Sequence, residues 1–121
     1  MYELSVKDHF DAAHALRGYP GECAKLHGHT WDIEVTVEGD VLDDIEILYD
    51  FKQLKADLAE VLQPLDHGFL NEVPPFDVLS PTAENMARVV YEQLASRVGR
   101  VVRVKDVTVW ESPVARITYR P

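Results

Sequence analysis

The chain has little cysteine, little positive charge and no long apolar run, and each shortage removes a class of protein. A single thiol, Cys23, cannot close an internal disulfide, and a lone Cys suits a reducing compartment, so a cytoplasmic location is expected. Twelve Lys and Arg stand against 21 Asp and Glu, a formal net charge of −9. Non-specific binding to nucleic acid needs basic patches, so nucleic acid is not an expected partner. No segment approaches the roughly 20 apolar residues that cross a bilayer, which leaves the membrane out as well. Residues 1–7, MYELSVK, lack the basic-then-apolar pattern of a signal peptide. With 46% hydrophobic residues in 121, the chain suits one compact domain, 1–121, built on a real core.

What the chain does have is a concentration of metal-ligating side chains. His14, Cys23, His27 and His29 fall within 16 residues of a sequence with five histidines and one cysteine. His27 and His29 are two apart, so on an extended segment they share a face. They also share parity with Trp31, Ile33, Val35 and Val37, the apolar side of the clearest strand in the sequence. Two imidazoles on a buried face need partners, because an unpaired buried polar group costs about 1–3 kcal/mol. A metal supplies both partners at once. Gly28 between them is expected to admit a close approach of backbone or ligand. Upstream, Tyr2, Leu4 and Val6 alternate with polar residues, and the parity runs on through Phe10 and Ala12 to His14, with a bulge expected near Asp8 or His9. For an isolated His of this kind, a core position bonded to a backbone carbonyl would be the better reading; here other histidines share the face. Cys23 sits in a loop with Gly18, Pro20 and Gly21, between Glu22 and Lys25, unlike a core cysteine. It is either a fourth ligand or a reactive group beside the metal.

The rest of the chain reads as support. Asp50 caps a helix that buries Phe51, Leu54, Leu58, Val61 and Leu62 and stops at Pro64. Asp66-His67 follows directly, a pair that would count as ordinary surface if it stood alone. Ser80-Pro81 is expected to start a second helix burying Ala83, Met86, Ala87, Val90 and Leu94 and ending at Gly99. Glu84 lies in its first turn, where a carboxylate favours the helix dipole. A hairpin, 101–111 and 114–119, closes the chain, and Glu111 continues the apolar parity of Val107 and Val109. Its carboxylate needs donors there, either Arg116 or Arg120 or a ligand. The expected fold is α+β: a four-stranded antiparallel sheet in ββ-α-α-ββ order with two helices on one face.

FDAAH at 10–14, CAKLHGH at 23–29, LDH at 65–67, PTAEN at 81–85 and Trp110-Glu111 occur in this order across almost the whole chain. The set resembles the 6-pyruvoyltetrahydropterin synthase family of T-fold (tunnelling-fold) enzymes, and the CxxxHGH spacing is similar to its 6-carboxy-5,6,7,8-tetrahydropterin synthase branch of the 7-deazaguanine (queuosine) pathway. The resemblance implies that His14, His27 and His29 bind Zn2+ and leave one position open, which agrees with the usual three protein ligands of catalytic zinc. It implies that Cys23 is the catalytic acid/base, that Asp66 and His67 form the relay behind it, and that Glu111 anchors the pterin ring, helped by Thr82 and Glu84. The implied reaction converts 7,8-dihydroneopterin triphosphate to 6-carboxy-5,6,7,8-tetrahydropterin, releasing acetaldehyde and triphosphate. The implied assembly is a homo-oligomer, trimeric barrels paired into hexamers, with active sites at subunit interfaces. A triphosphate approaching a chain of charge −9 needs a local positive site, and Arg17 and Lys25 are the nearest cations in sequence. Two other readings stay in view: a pyruvoyltetrahydropterin synthase, and a non-catalytic domain with a closed His3Cys zinc.

Overall fold

The computed structural model describes residues 1–18, 21 and 25–121. Two long strands, β1 (Tyr2–His14) and β2 (His27–Gly39), form the antiparallel centre of the sheet. Helix α1 (Phe51–Leu62), a two-residue strand β3 (Gly68–Phe69) and helix α2 (Ala83–Ala95) follow, and the hairpin β4 (Arg103–Ser112) and β5 (Ala115–Tyr119) ends the chain. The sheet order is β3-β1-β2-β4-β5. The four expected strands are all antiparallel neighbours, while β3 adds a fifth, parallel to β1 at Ala12 and Ala13. Two residues carry no periodicity, so nothing in the sequence marks β3.

Alternation explains which side of the sheet is buried. Val6, Phe10, Ala12 and His14 of β1 face the same way as Trp31, Ile33, Val35 and Val37 of β2, and all are buried. The register runs unbroken from Tyr2 opposite Gly39 to His14 opposite His27, so the bulge expected near Asp8 is absent. Asp8 stays in the ladder half-exposed, its carboxylate accepting the His9 N–H at 2.8 Å, which meets its polar demand without expelling it. The irregularity lies in β4 instead, opposite Thr36 and Val37. It lets Val104 and Val107, of opposite parity, both reach the core.

The helices cover that apolar face. Asp50 caps α1, accepting from the Lys52 N–H at 2.8 Å, and Leu54, Leu58, Val61 and Leu62 are buried as expected. Phe51 is not: at the first helical position it is 57% exposed. Pro64 turns the end of α1 into a 3-10 turn, Gln63–Leu65. The start of α2 differs from expectation by two residues. Thr82, not Ser80, is the N-cap, its hydroxyl accepting from the Asn85 N–H at 3.1 Å, because Pro81 is held in the connection to β1. The helix ends at Ala95 with Ser96 as its cap, short of Gly99. Its apolar face is as expected, with Ala83, Met86, Ala87, Val90 and Leu94 buried.

Candidate active site

Strand register assembles the histidines. His14 and His27 are cross-strand partners, and His29, opposite Ala12, lies one pleat along on the same face. The rings pack together, His14 at 4.5 Å from His27 and 5.0 Å from His29 between centroids, with Trp31 against both His14 (4.8 Å) and His29 (4.4 Å). His14 is 1% exposed. The Gly28 between the two β2 histidines is not crowded: a Cβ there would meet only the Ala12 carbonyl, at 3.9 Å.

Each imidazole is fixed from behind by a backbone carbonyl. Nδ1 of His14 donates to Pro81 at 2.7 Å, Nδ1 of His27 to Lys25 at 2.8 Å, and Nδ1 of His29 to Thr30 at 3.2 Å. A carbonyl only accepts, so in each neutral ring the proton is on Nδ1 and the lone pair on Nε2. The three Nε2 atoms converge, His14 lying 2.9 Å from His27 and 3.2 Å from His29. No proton is left to bridge them. Three lone pairs facing one another repel, and a cation between them removes the conflict. Nitrogens at about 2.0–2.1 Å from one tetrahedral ion would stand roughly 3.3 Å apart, close to the spacing here. His14, His27 and His29 can therefore hold a metal ion. Burial pushes the His14 pKa below its ordinary value; the Pro81 bond pulls upward, and its two histidine neighbours push it further down.

A cavity of about 420 Å3 opens at the start of α2, next to the Pro81 carbonyl that holds His14. Its wall includes Thr82, Ala83 and Glu84 from the start of α2, Val109 and Glu111 from β4, Ala115 to Ile117 from β5, and Leu16 just past β1. The three residues assigned to ring binding by resemblance, Thr82, Glu84 and Glu111, thus line one space. Glu111 is near enough to His14 to act on its charge. It makes no ion pair with Arg116 or Arg120 among the described residues; Arg116 instead lies over the Trp110 ring at 5.2 Å. The Glu111 carboxylate is left facing the cavity as an acceptor.

Asp66 and His67 are elsewhere. Asp66 accepts the Asp11 N–H at 3.0 Å and His67 Nδ1 at 2.9 Å, while Asp11 also takes the Thr30 hydroxyl. Asp11 and Thr30 are cross-strand partners of opposite parity to Ala12 and His29, so their side chains face the other side of the sheet from the metal cluster. The Asp11 N–H bond, followed by the His67 contact, lowers the Asp66 pKa. Cys23 lies outside the described residues. Arg17 is committed to three carbonyls, Leu79 at 3.3 Å, Asn71 at 3.4 Å and Phe76 at 3.3 Å, which ties the Cys loop's start to the 71–79 connection and weakens its case as a phosphate contact.

Some of the site was invisible in sequence. Pro81, Lys25 and Thr30 act through carbonyls, which every residue has. Leu16 and Ala115 to Ile117 reach the cavity by topology alone. Asp11 carried a usable signal, since its parity opposes that of His14.

The T-fold sheet, three histidines that could hold a metal ion and a cavity lined by Glu111 together fit an enzyme site for a small molecule. The chain belongs to the 6-pyruvoyl tetrahydropterin synthase family, whose sequence model matches residues 3–121. A 6-carboxy-5,6,7,8-tetrahydropterin synthase of Bacillus subtilis is 34% identical, covering 99% of this chain and 86% of that one. A dihydroneopterin monophosphate aldolase of Pyrococcus furiosus is 36% identical, covering 84% of this chain and 82% of its own length. The solved Caenorhabditis elegans 6-pyruvoyl tetrahydropterin synthase superposes with a TM-score of 0.89 at 28% identity, covering 99% of this chain and 95% of that one.

Proposed function

We propose that this chain is a zinc-dependent 6-carboxy-5,6,7,8-tetrahydropterin synthase. It converts 7,8-dihydroneopterin triphosphate to 6-carboxy-5,6,7,8-tetrahydropterin, releasing acetaldehyde and triphosphate, in cytoplasmic 7-deazaguanine (queuosine) biosynthesis. The observation that carries this reading is the convergence of three Nε2 lone pairs beside a cavity whose wall presents Glu111. A carboxylate held there accepts paired hydrogen bonds from the ring N–H and exocyclic amino group of a pterin. Thr82 and Glu84 bound the same space and hold the ring's position.

His14, His27 and His29 would hold the zinc, which when bound would supply Lewis-acid polarisation of the substrate's side-chain oxygens and so make the adjoining C–H and O–H bonds more acidic. Cys23, as thiolate, takes and returns the proton at the side-chain carbon; thiols beside a cation titrate below their usual value of about 8.5. His67 exchanges that proton, and Asp66 holds its imidazole by the Nδ1 bond. Within one chain this pair is bonded to Asp11, whose side chain points to the sheet face opposite the three histidines, which supports an active site completed by a neighbouring subunit. Unpaired outer edges on β5 and on β1 before Ala12, among the described residues, support the homohexamer of paired trimeric barrels.

A second reading is favoured by one observation: the Pyrococcus furiosus relative at 36% identity is named for a different reaction on a related pterin. Product analysis separates them. Zinc-loaded protein given 7,8-dihydroneopterin triphosphate should yield acetaldehyde and the carboxypterin in equal amounts. A pyruvoyl product, or turnover of dihydroneopterin monophosphate alone, overturns the assignment. Cys23→Ala should keep its zinc and its fold and lose turnover; loss of zinc and stability together would make Cys23 the fourth ligand of a structural site.

A further inference from the structure

The Pro81–Thr82 peptide serves two partners at once. Its carbonyl receives the His14 Nδ1–H at 2.7 Å, and its N–H donates to the Ser80 carbonyl at 2.8 Å. In a trans peptide the C=O and N–H point in opposite directions, so holding one end aims the other. The bond from the Thr82 N–H back to Ser80 closes a turn of only three residues, too small to be rigid by itself. Asn85 braces it. Its Nδ2 donates to the same Ser80 carbonyl at 2.9 Å, and its backbone N–H donates to the Thr82 hydroxyl at 3.1 Å. Arg88 donates to Oδ1 of Asn85 at 3.4 Å, which settles which end of the amide faces Ser80. Asn85 thereby grips the residues on both sides of Pro81 from the first turn of α2, yet it is not among the cavity's lining residues and makes no hydrogen bond to the three histidines.

We infer that Asn85 is a positioning residue for the metal ligand His14. It holds the Ser80–Thr82 turn so that the Pro81 carbonyl keeps the His14 proton on Nδ1 and its Nε2 directed at the metal. The inference rests on the reading that His14, His27 and His29 bind zinc. Partners that orient a metal-bound histidine are typically worth about 10–100-fold in metal affinity. Asn85 is one link further out, so the lower end of that range, about tenfold, is expected.

Asn85→Asp is the sharp variant. It keeps the size and the backbone N–H to Thr82, replaces the donor to Ser80 with an acceptor, and adds one negative charge in the first turn, where the helix dipole favours it. The zinc dissociation constant of the full chain is measured by competition with a chromophoric chelator, and urea unfolding is measured on the metal-stripped chain. Asn85→Asp should bind zinc about tenfold more weakly with an unchanged urea midpoint, and saturating zinc should restore its turnover. Asn85→Ala, which removes the same donor without adding charge, should weaken zinc comparably and serves if the first variant does not fold. Wild-type zinc affinity in both variants overturns the inference. So does weaker binding matched by an equal loss of stability in the stripped chain, which would make Asn85 a helix-start residue only. A wild-type chain that binds no zinc overturns the metal reading itself, and this inference with it.

Discussion

Stripping the metal and lowering the pH through the range where histidine titrates isolates the contribution of His14. The ring is 1% exposed and donates Nδ1–H to Pro81, and burial lowers its folded pKa below the ordinary 6.5. The unfolded chain therefore takes up this proton first as pH falls. Stability from the neutral, buried ring is fully present above about pH 6.5 and is lost progressively below it, until the folded ring also protonates. One proton bound by the unfolded state and not by the folded one gives a slope of at most about 1.4 kcal/mol per pH unit. For 121 residues, an unfolding entropy of about 2.1 cal/mol/K per residue gives roughly 0.25 kcal/mol/K, so the slope corresponds to about 5 °C of Tm per pH unit. Thermal unfolding of chelator-treated protein, followed by circular dichroism from pH 7.5 to 5.5, reads it directly. The comparator is His14→Phe, which keeps an aromatic ring and cannot titrate. It should be less stable at pH 7.5, since the Pro81 carbonyl loses its donor at a cost of about 1–3 kcal/mol. Its Tm should also fall less steeply with acidification. Parallel slopes in the two proteins would refute the argument, because the proton uptake would then belong to other groups.

Two further outcomes follow from the same geometry. Phe10 is 1% exposed and stacks on Trp31 at 5.8 Å, the ring that backs His14 and His29; Phe10→Ala should cost about 3–5 kcal/mol in urea unfolding, and a loss under about 1 kcal/mol would contradict the packing. Asp66→Asn should keep its zinc and lose turnover by about 10²-fold or more; mixing and reassembling it with Cys23→Ala chains should restore activity, and failure to do so would place the relay and the thiol in the same subunit.

Strongly periodic segments are legible in the sequence alone. The alternation from Trp31 to Val37 and the spacing of Leu54, Leu58, Val61 and Leu62 specify their elements, because one buried face dictates residue type at each turn or pleat. Boundaries were less legible. Ser80 and Thr82 are both good caps by residue type, and the choice fell to Thr82 because Pro81 is engaged by a histidine 67 positions away. The bulge expected at Asp8 failed for a similar reason: a single half-exposed carboxylate can satisfy itself on a neighbouring N–H and leave the register intact.

By itself, then, the sequence determined that His14, His27 and His29 share the apolar side of the sheet, while the separation of Cys23 from a ligand set of three came from the family resemblance. The parity of His14, His27 and His29 with their apolar neighbours is a local property, and only the choice of partner strand remained to be made. Tertiary structure alone decided how those ligands are held and what they face. The tautomer of each ring depends on a backbone carbonyl, and for His14 that carbonyl comes from the far end of a connection between helices. The gathering of Thr82, Glu84 and Glu111 around one cavity depends on α2 lying over β4 and β5. The position of Asp66 and His67 depends on Asp11, whose backbone N–H holds Asp66 and whose side chain points away from the histidine face because adjacent strand residues point to opposite sides.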